Sequence, residues 1–123
     1  MIKDLSQIEA FLRQVLIEQQ PLLRIRKNET EVLEACGTKE AMQGKQKVDG
    51  FYFASIMPKP KDVRFYFFPL YTHVDRFELS PDLQKMLKGK TCFHIKHLNE
   101  DLKTEIRSMI KTGVKIFQEQ DLC

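Results

Sequence analysis

Val63–Lys96 reads VRFYFFPLYTHVDRFELSPDLQKMLKGKTCFHIK, and the order of signals within it decides the fold. It opens on an aromatic run, Val63 to Leu70, with the β-branched and aromatic make-up of a strand. Ser80-Pro81 then marks a helix start, because a serine hydroxyl accepts from the free N–H groups of the first turn and proline suits the first helical position. Leu83, Met86 and Leu87 follow at helical spacing, and Gly89 is expected to close that helix at its C-cap. Thr91 to Lys96 reads as a second strand, with Phe93 and Ile95 on one face and Cys92, His94 and Lys96 on the other. The chain has nine Phe and three Tyr. All but two of them lie between Phe51 and Phe93, so the core is centred on this block.

Outward from the block, Phe51 to Met57 is a further strand. The turn-forming run Pro58-Lys59-Pro60-Lys61-Asp62 joins it to Val63, which predicts an antiparallel hairpin. Gly37 to Gly50 is polar and basic and reads as a loop or a long hairpin tip. Glu31 to Cys36 is a weaker strand, and Leu23 and Ile25 alternate with Arg24 and Arg26 as a half-exposed one. Leu5 to Gln19 has a helical rhythm, with Ser6 and Glu9 at capping-box spacing and Asp4 as the alternative cap. Pro21 ends it. Asn99 opens a last, long helix with an apolar face of Leu102, Ile106, Met109, Ile110, Gly113 and Phe117. A mid-helix glycine costs about 1 kcal/mol against alanine, so Gly113 predicts a close backbone approach. The class is α+β, with a mainly antiparallel sheet of about five strands, an N-terminal helix, a short middle helix and a long C-terminal helix. Residues 1–123 form a single domain.

Composition narrows the setting. Hydrophobic content of 42% with 30% charged residues is ordinary for a globular domain. No apolar segment approaches the roughly 18 residues of a membrane span, and charges interrupt the opening MIKDLSQIEAFL where a secretory signal needs an apolar run. Cys36, Cys92 and Cys123 are odd in number and lack CxxC spacing, which fits reduced thiols and a cytoplasmic location. A net charge of +3 permits anionic partners without demanding them. The lysines read as solvated faces, and nucleic acid is not an expected partner.

Gly89-Lys90-Thr91 looks like the end of a phosphate-binding loop, but Gln84 stands where that loop needs glycine. Cys92, His94 and His97 supply soft metal-ligand types without a fourth member. His73, Asp75 and Glu78, together between strand and helix, could hold a metal or share protons. No GxSxG elbow is present. Aromatic residues on both faces of Phe65-Tyr66-Phe67-Phe68 predict a sheet covered on both sides, by helices on one and by a loop, a ligand or a second subunit on the other. A concave apolar face with a polar rim is the usual ligand geometry. Its expected residues are Tyr66, Phe68, Tyr71 and His94. The function read from this is non-enzymatic binding of a small molecule or a partner protein, a second copy of the chain included, with no cofactor.

The second half of the chain also resembles the YdhG-like family of small bacterial domains. The resemblance rests on Phe68-Pro69-Leu70-Tyr71, on Ser80-Pro81-Asp82-Leu83 and on Gly89-Lys90-Thr91-Cys92-Phe93-His94-Ile95-Lys96, with Ile95 where the family usually has Phe. A terminal helix with a central glycine, Gly113, completes it. The first half shares only a leading helix and strands. Some members are described as frataxin-like, so the resemblance implies an alternative function, intracellular iron binding and delivery.

Overall fold

Asp4 rather than Ser6 caps the first helix in the computed structural model, which describes residues Met1–Cys123. Its carboxylate accepts from the backbone N–H of Ser6 at 2.8 Å and of Gln7 at 3.2 Å, satisfying donors that the first turn leaves free. Helix α1 (Leu5–Ile17) buries Ile8, Leu12, Val15 and Leu16. Strands β1 (Arg24–Asn28), β2 (Leu33–Cys36), a small ribbon of β3 (Ala41–Gln43) and β4 (Gln46–Val48), β5 (Tyr52–Pro58) and β6 (Val63–Phe67) follow. Then come α2 (Pro69–Thr72), a 3-10 turn (Val74–Arg76), α3 (Pro81–Met86), β7 (Leu87–Lys88), β8 (Cys92–Ile95) and α4 (Glu100–Glu119). The fold is α+β. Its main sheet has six strands in the order β1-β2-β5-β6-β8-β7, and every pairing is antiparallel. No helix is long and apolar enough to cross a membrane.

Two expected boundaries move, each for a backbone reason. The aromatic strand ends at Phe67 instead of Leu70, because Pro69 has no N–H to give a sheet ladder and instead opens a helical turn. The middle helix ends at Met86, and Gly89 is not its cap. Leu87 is already extended and pairs with Phe93, as Lys88 pairs with Cys92. Gly89, at φ +72°, forms the tight turn between β7 and β8, a left-handed conformation that glycine adopts without steric cost.

Two irregularities set which side chains face which way. Between the pairs Ala35↔Ala54 and Cys36↔Tyr52, strand β5 carries one extra residue, Phe53. Such a bulge breaks strict alternation, so Phe53 and Ala54 both enter the core. Arg26 is the extra residue of β1 against β2.

Helices α1 and α4 cover one face of the sheet. Phe53, Phe65, Phe67 and Phe93 are fully buried beneath them. Phe53 meets Phe67 and Phe117 edge to face, with centroids 5.5 and 5.0 Å apart. Asn99 caps α4 by accepting from the Leu102 N–H at 2.8 Å. Ser80 links α3 to α4: its backbone N–H and its hydroxyl donate to the two Glu105 carboxylate oxygens at 2.8 and 2.6 Å, while its Oγ accepts from Leu83. Gly113 lies where α4 crosses the phenylalanines. A Cβ there would stand 2.8 Å from Phe67 Cζ, closer than Cβ atoms come, and 3.0 Å from the Phe53 ring, a contact that requires the ring to give way.

Gly113→Ala therefore tests the packing against helix propensity. Alanine gains about 1 kcal/mol of helix preference, whereas overpacking a filled core costs about 1–3 kcal/mol. With two ring contacts to displace, we expect a net loss of stability in urea unfolding; a more stable variant would contradict the close approach.

Candidate functional site

Alternation along the central strands gives the uncovered face of the sheet a polar character. Glu34, Ser55, Tyr66, Cys92 and Lys88 form one row across β2, β5, β6, β8 and β7 by direct pairing, and Arg64 pairs with His94 in the adjacent row. Arg26 donates to Glu34 at 2.6 Å. The Tyr52 hydroxyl donates to Ser55 Oγ at 2.7 Å. Asp62, only 5% exposed, sits between Arg64 Nε at 3.3 Å and His94 Nδ1 at 3.5 Å. Burying a carboxylate is costly unless a cation or hydrogen-bond donors compensate it; the Arg64 guanidinium supplies the cation here.

Tyr66, Phe68, Tyr71 and His94 thus do not share one concave wall. Tyr66 and His94 stand on the polar outer face. Phe68 is wedged among rings, with centroids 5.8 Å from Phe51, 5.7 Å from Tyr52 and 5.7 Å from Tyr71. Tyr71 alone reaches a substantial apolar concavity. That cleft, of about 480 Å³, lies beyond the end of β6, between α2 with its 3-10 turn and the β7–β8 turn. Leu70, Phe77, Leu79 and Leu87 form its walls, and Phe77 is anchored edge-to-face on Phe67 at 5.3 Å. Tyr71 and Val74 stand at the rim, 54% and 59% exposed. Lys90, the one charged residue of the lining, holds its ammonium 5.1 Å from the Tyr71 ring centre. No carboxylate pairs with it.

The metal candidates separate. His73 Nδ1 lies 2.9 Å from Thr72 Oγ1, and Asp75 and Glu78 are exposed. Arg76, between them in sequence, pairs instead with Glu119 at 2.9 Å. No three His, Cys, Asp or Glu side chains are grouped to hold a metal ion, so iron delivery finds no donor set among these residues or at Cys92, His94 and His97. The residues that the sequence left out are the cleft walls Leu79 and Leu87 and the cation Lys90. Leu87 reads from sequence as part of a helix and Lys90 as part of a turn, and the β7–β8 hairpin brings these two round to Tyr71.

Thiol and phenol environments on the outer face bear on its reactivity. Burial pushes the Cys92 thiol up, with Tyr66 and Arg64 opposing. This is the reverse of an activated nucleophile, which needs a lowered thiol pKa. Burial likewise raises Tyr66, helped by the neighbouring Cys92. Burial pushes the Tyr52 hydroxyl up to about 12, with Ser55 opposing.

Scanned against protein-family models, the chain matches none, and searches of curated proteins and of solved structures likewise find no match.

Two measurements follow from these environments. Iodoacetamide should modify Cys92 slowly at neutral pH, and peptide mass spectrometry should show its rate climbing only above the ordinary thiol range; rapid labelling at pH 7 would contradict the buried setting. For Tyr52, the folded pKa lies above the unfolded value of about 10. Its contribution to stability is therefore complete below about pH 10 and lost as pH rises toward 12. Urea midpoints should fall over that window, and Tyr52→Phe should flatten the fall; an unaltered slope would count against the shift.

Proposed function

We propose that this chain is a non-enzymatic binding domain of the cytoplasm whose ligand is a small apolar molecule carrying an anionic group. The cleft beneath Tyr71 is its site. The observation that supports this reading is the composition of the cleft: apolar walls, exposed hydrophobic residues at the rim, and a single unpaired cation, Lys90. Its volume of about 480 Å³ falls within the range of small-molecule sites, roughly 300–1,000 Å³. Removing the rim and walls from water drives association, and Lys90 selects for a carboxylate or sulfonate at the mouth. Tyr71 keeps the ammonium near the opening through the attraction of its ring for a cation.

The reading places Tyr71 at the binding site as the sequence does, but moves the site from the sheet face to the end of the sheet. Phe68 becomes a support for Tyr71. Three free cysteines suit a reducing compartment. A partner protein inserting an apolar side chain is the competing occupant, and it would have no need of Lys90.

Octanoate and its neutral counterpart octanol separate the two. Titration by calorimetry should show saturable octanoate binding, weakened about five- to tenfold in Lys90→Gln, which corresponds to roughly 1–1.4 kcal/mol. Tyr71→Ala should weaken both ligands. Equal affinity for octanoate and octanol, or no saturation of either by millimolar concentration, would overturn the proposal.

A further inference from the structure

A second concavity lies on the other side of the β7–β8 hairpin and has the opposite character. Its volume is about 380 Å³, and its lining is Lys85, Lys88, His94, Lys96 and His97, with Met86 the one apolar residue and Asp82 the one carboxylate. The three lysines are exposed, and none has a carboxylate within ion-pair distance, although nine Lys or Arg pairs with carboxylates occur elsewhere in the chain. Like charges gathered on one small surface repel and lower stability. A chain with 17 Asp and Glu has enough carboxylates to neutralise such a cluster, yet none but Asp82 is placed there.

The cluster is assembled from three sources. Lys85 and Met86 come from the last turn of α3, Lys88 from β7, and His94 from the outer face of β8, with Lys96 and His97 just beyond it. Pairing of Lys88 with Cys92 sets the distance across the hairpin. The His94 ring is oriented from below, since Nδ1 faces the buried Asp62 carboxylate at 3.5 Å and Arg64 holds the other carboxylate oxygen. Nε2 is then the nitrogen left for the cleft. A floor of fixed imidazole with mobile ammonium groups around it suits an anion that carries more than one charge and several acceptor oxygens. Phosphate esters meet that description, because lysine contacts phosphate as a point charge, and the imidazolium form of His94, with Nδ1–H turned to Asp62, donates a directional hydrogen bond through Nε2–H.

We propose that this cleft binds the phosphate or diphosphate group of a small phosphorylated molecule, independently of the apolar site beneath Tyr71. The volume exceeds what inorganic phosphate fills, so part of the organic body lies in the cleft beside Met86. Lys88 and Lys90 flank Gly89 and serve different sites: Lys88 lines the anion cleft and Lys90 the apolar one.

The test is an NMR titration of the isotope-labelled chain with inorganic pyrophosphate and with adenosine diphosphate, at low salt. Saturable shifts should concentrate at Lys88, His94, Lys96 and His97 and leave Tyr71 and Lys90 unmoved. Pyrophosphate as tight as the nucleotide assigns recognition to the phosphates alone; a tighter nucleotide assigns part of it to the organic body, and either result supports the site. Lys88→Gln combined with Lys96→Gln should weaken binding about tenfold, near 1.4 kcal/mol, whereas Lys90→Gln should not. Circular dichroism checks that these surface variants fold. Shifts spread evenly over all lysines, affinity unchanged in the double variant, or response only to a single-stranded oligonucleotide with shifts running along α4 would overturn the proposal. Because the octanoate experiment reads Lys90 and Tyr71, either proposal can fail without the other.

Discussion

The contact on which the rest of the structure depends is the approach of α4 to the sheet at Gly113. With no side chain at that position, the Phe53 and Phe67 rings rise against the helix backbone, and Phe117 closes over Phe53 edge to face. A larger residue would lift α4 and open the densest part of the core. The bulge in β5 is part of the same arrangement. It turns Phe53 inward beside Ala54, so that two consecutive residues serve the core and a small one leaves room for a large one.

Both clefts inherit their shape from that packing. Phe67 is clamped between Phe53 on one side and Phe77 on the other, and Phe77 carries the back wall of the apolar cleft. Ser80, bonded twice to Glu105 of α4, fixes where α3 begins and hence where Lys85 and Met86 emerge. The hairpin of β7 and β8 then divides the surface. A two-residue strand and a single left-handed glycine separate an apolar, singly charged hollow from a polar, lysine-rich one.

Much of the architecture is legible in the sequence because it is local. Asn99, Ser80 and the inward row from Leu102 to Phe117 announce helices by capping and period, and Gly113 stands out as a glycine at a position that should be filled. The end of α3 is not legible in this way. Leu87 continues the helical spacing of Leu83, and only its pairing with Phe93, a tertiary event, pulls it into a strand. The bulge at Phe53 is hidden for the same reason: Phe51, Tyr52 and Phe53 are all good strand residues, and nothing in their order says which one lacks a partner. Among the candidate site residues, Tyr71 is recognisable in the sequence as an aromatic residue expected on the sheet face, whereas the helical turn opened by Pro69 carries it to the rim of the end cleft. His94 could be seen as a histidine on an outer face, but its orientation depends on Asp62, a carboxylate more than 30 residues away in sequence.

The outermost strands have a consequence for association. A sheet edge normally offers a row of free N–H and C=O groups on which another chain can build. On one side β1 is interrupted by the extra residue Arg26 and carries arginine and lysine along its exposed length. On the other, β7 is two residues long and turns at once through Gly89. Neither border is a template that a foreign strand could copy for more than a step. Growth of the main sheet by lateral addition, the route to both edge-to-edge dimers and fibrils, is therefore disfavoured at both borders.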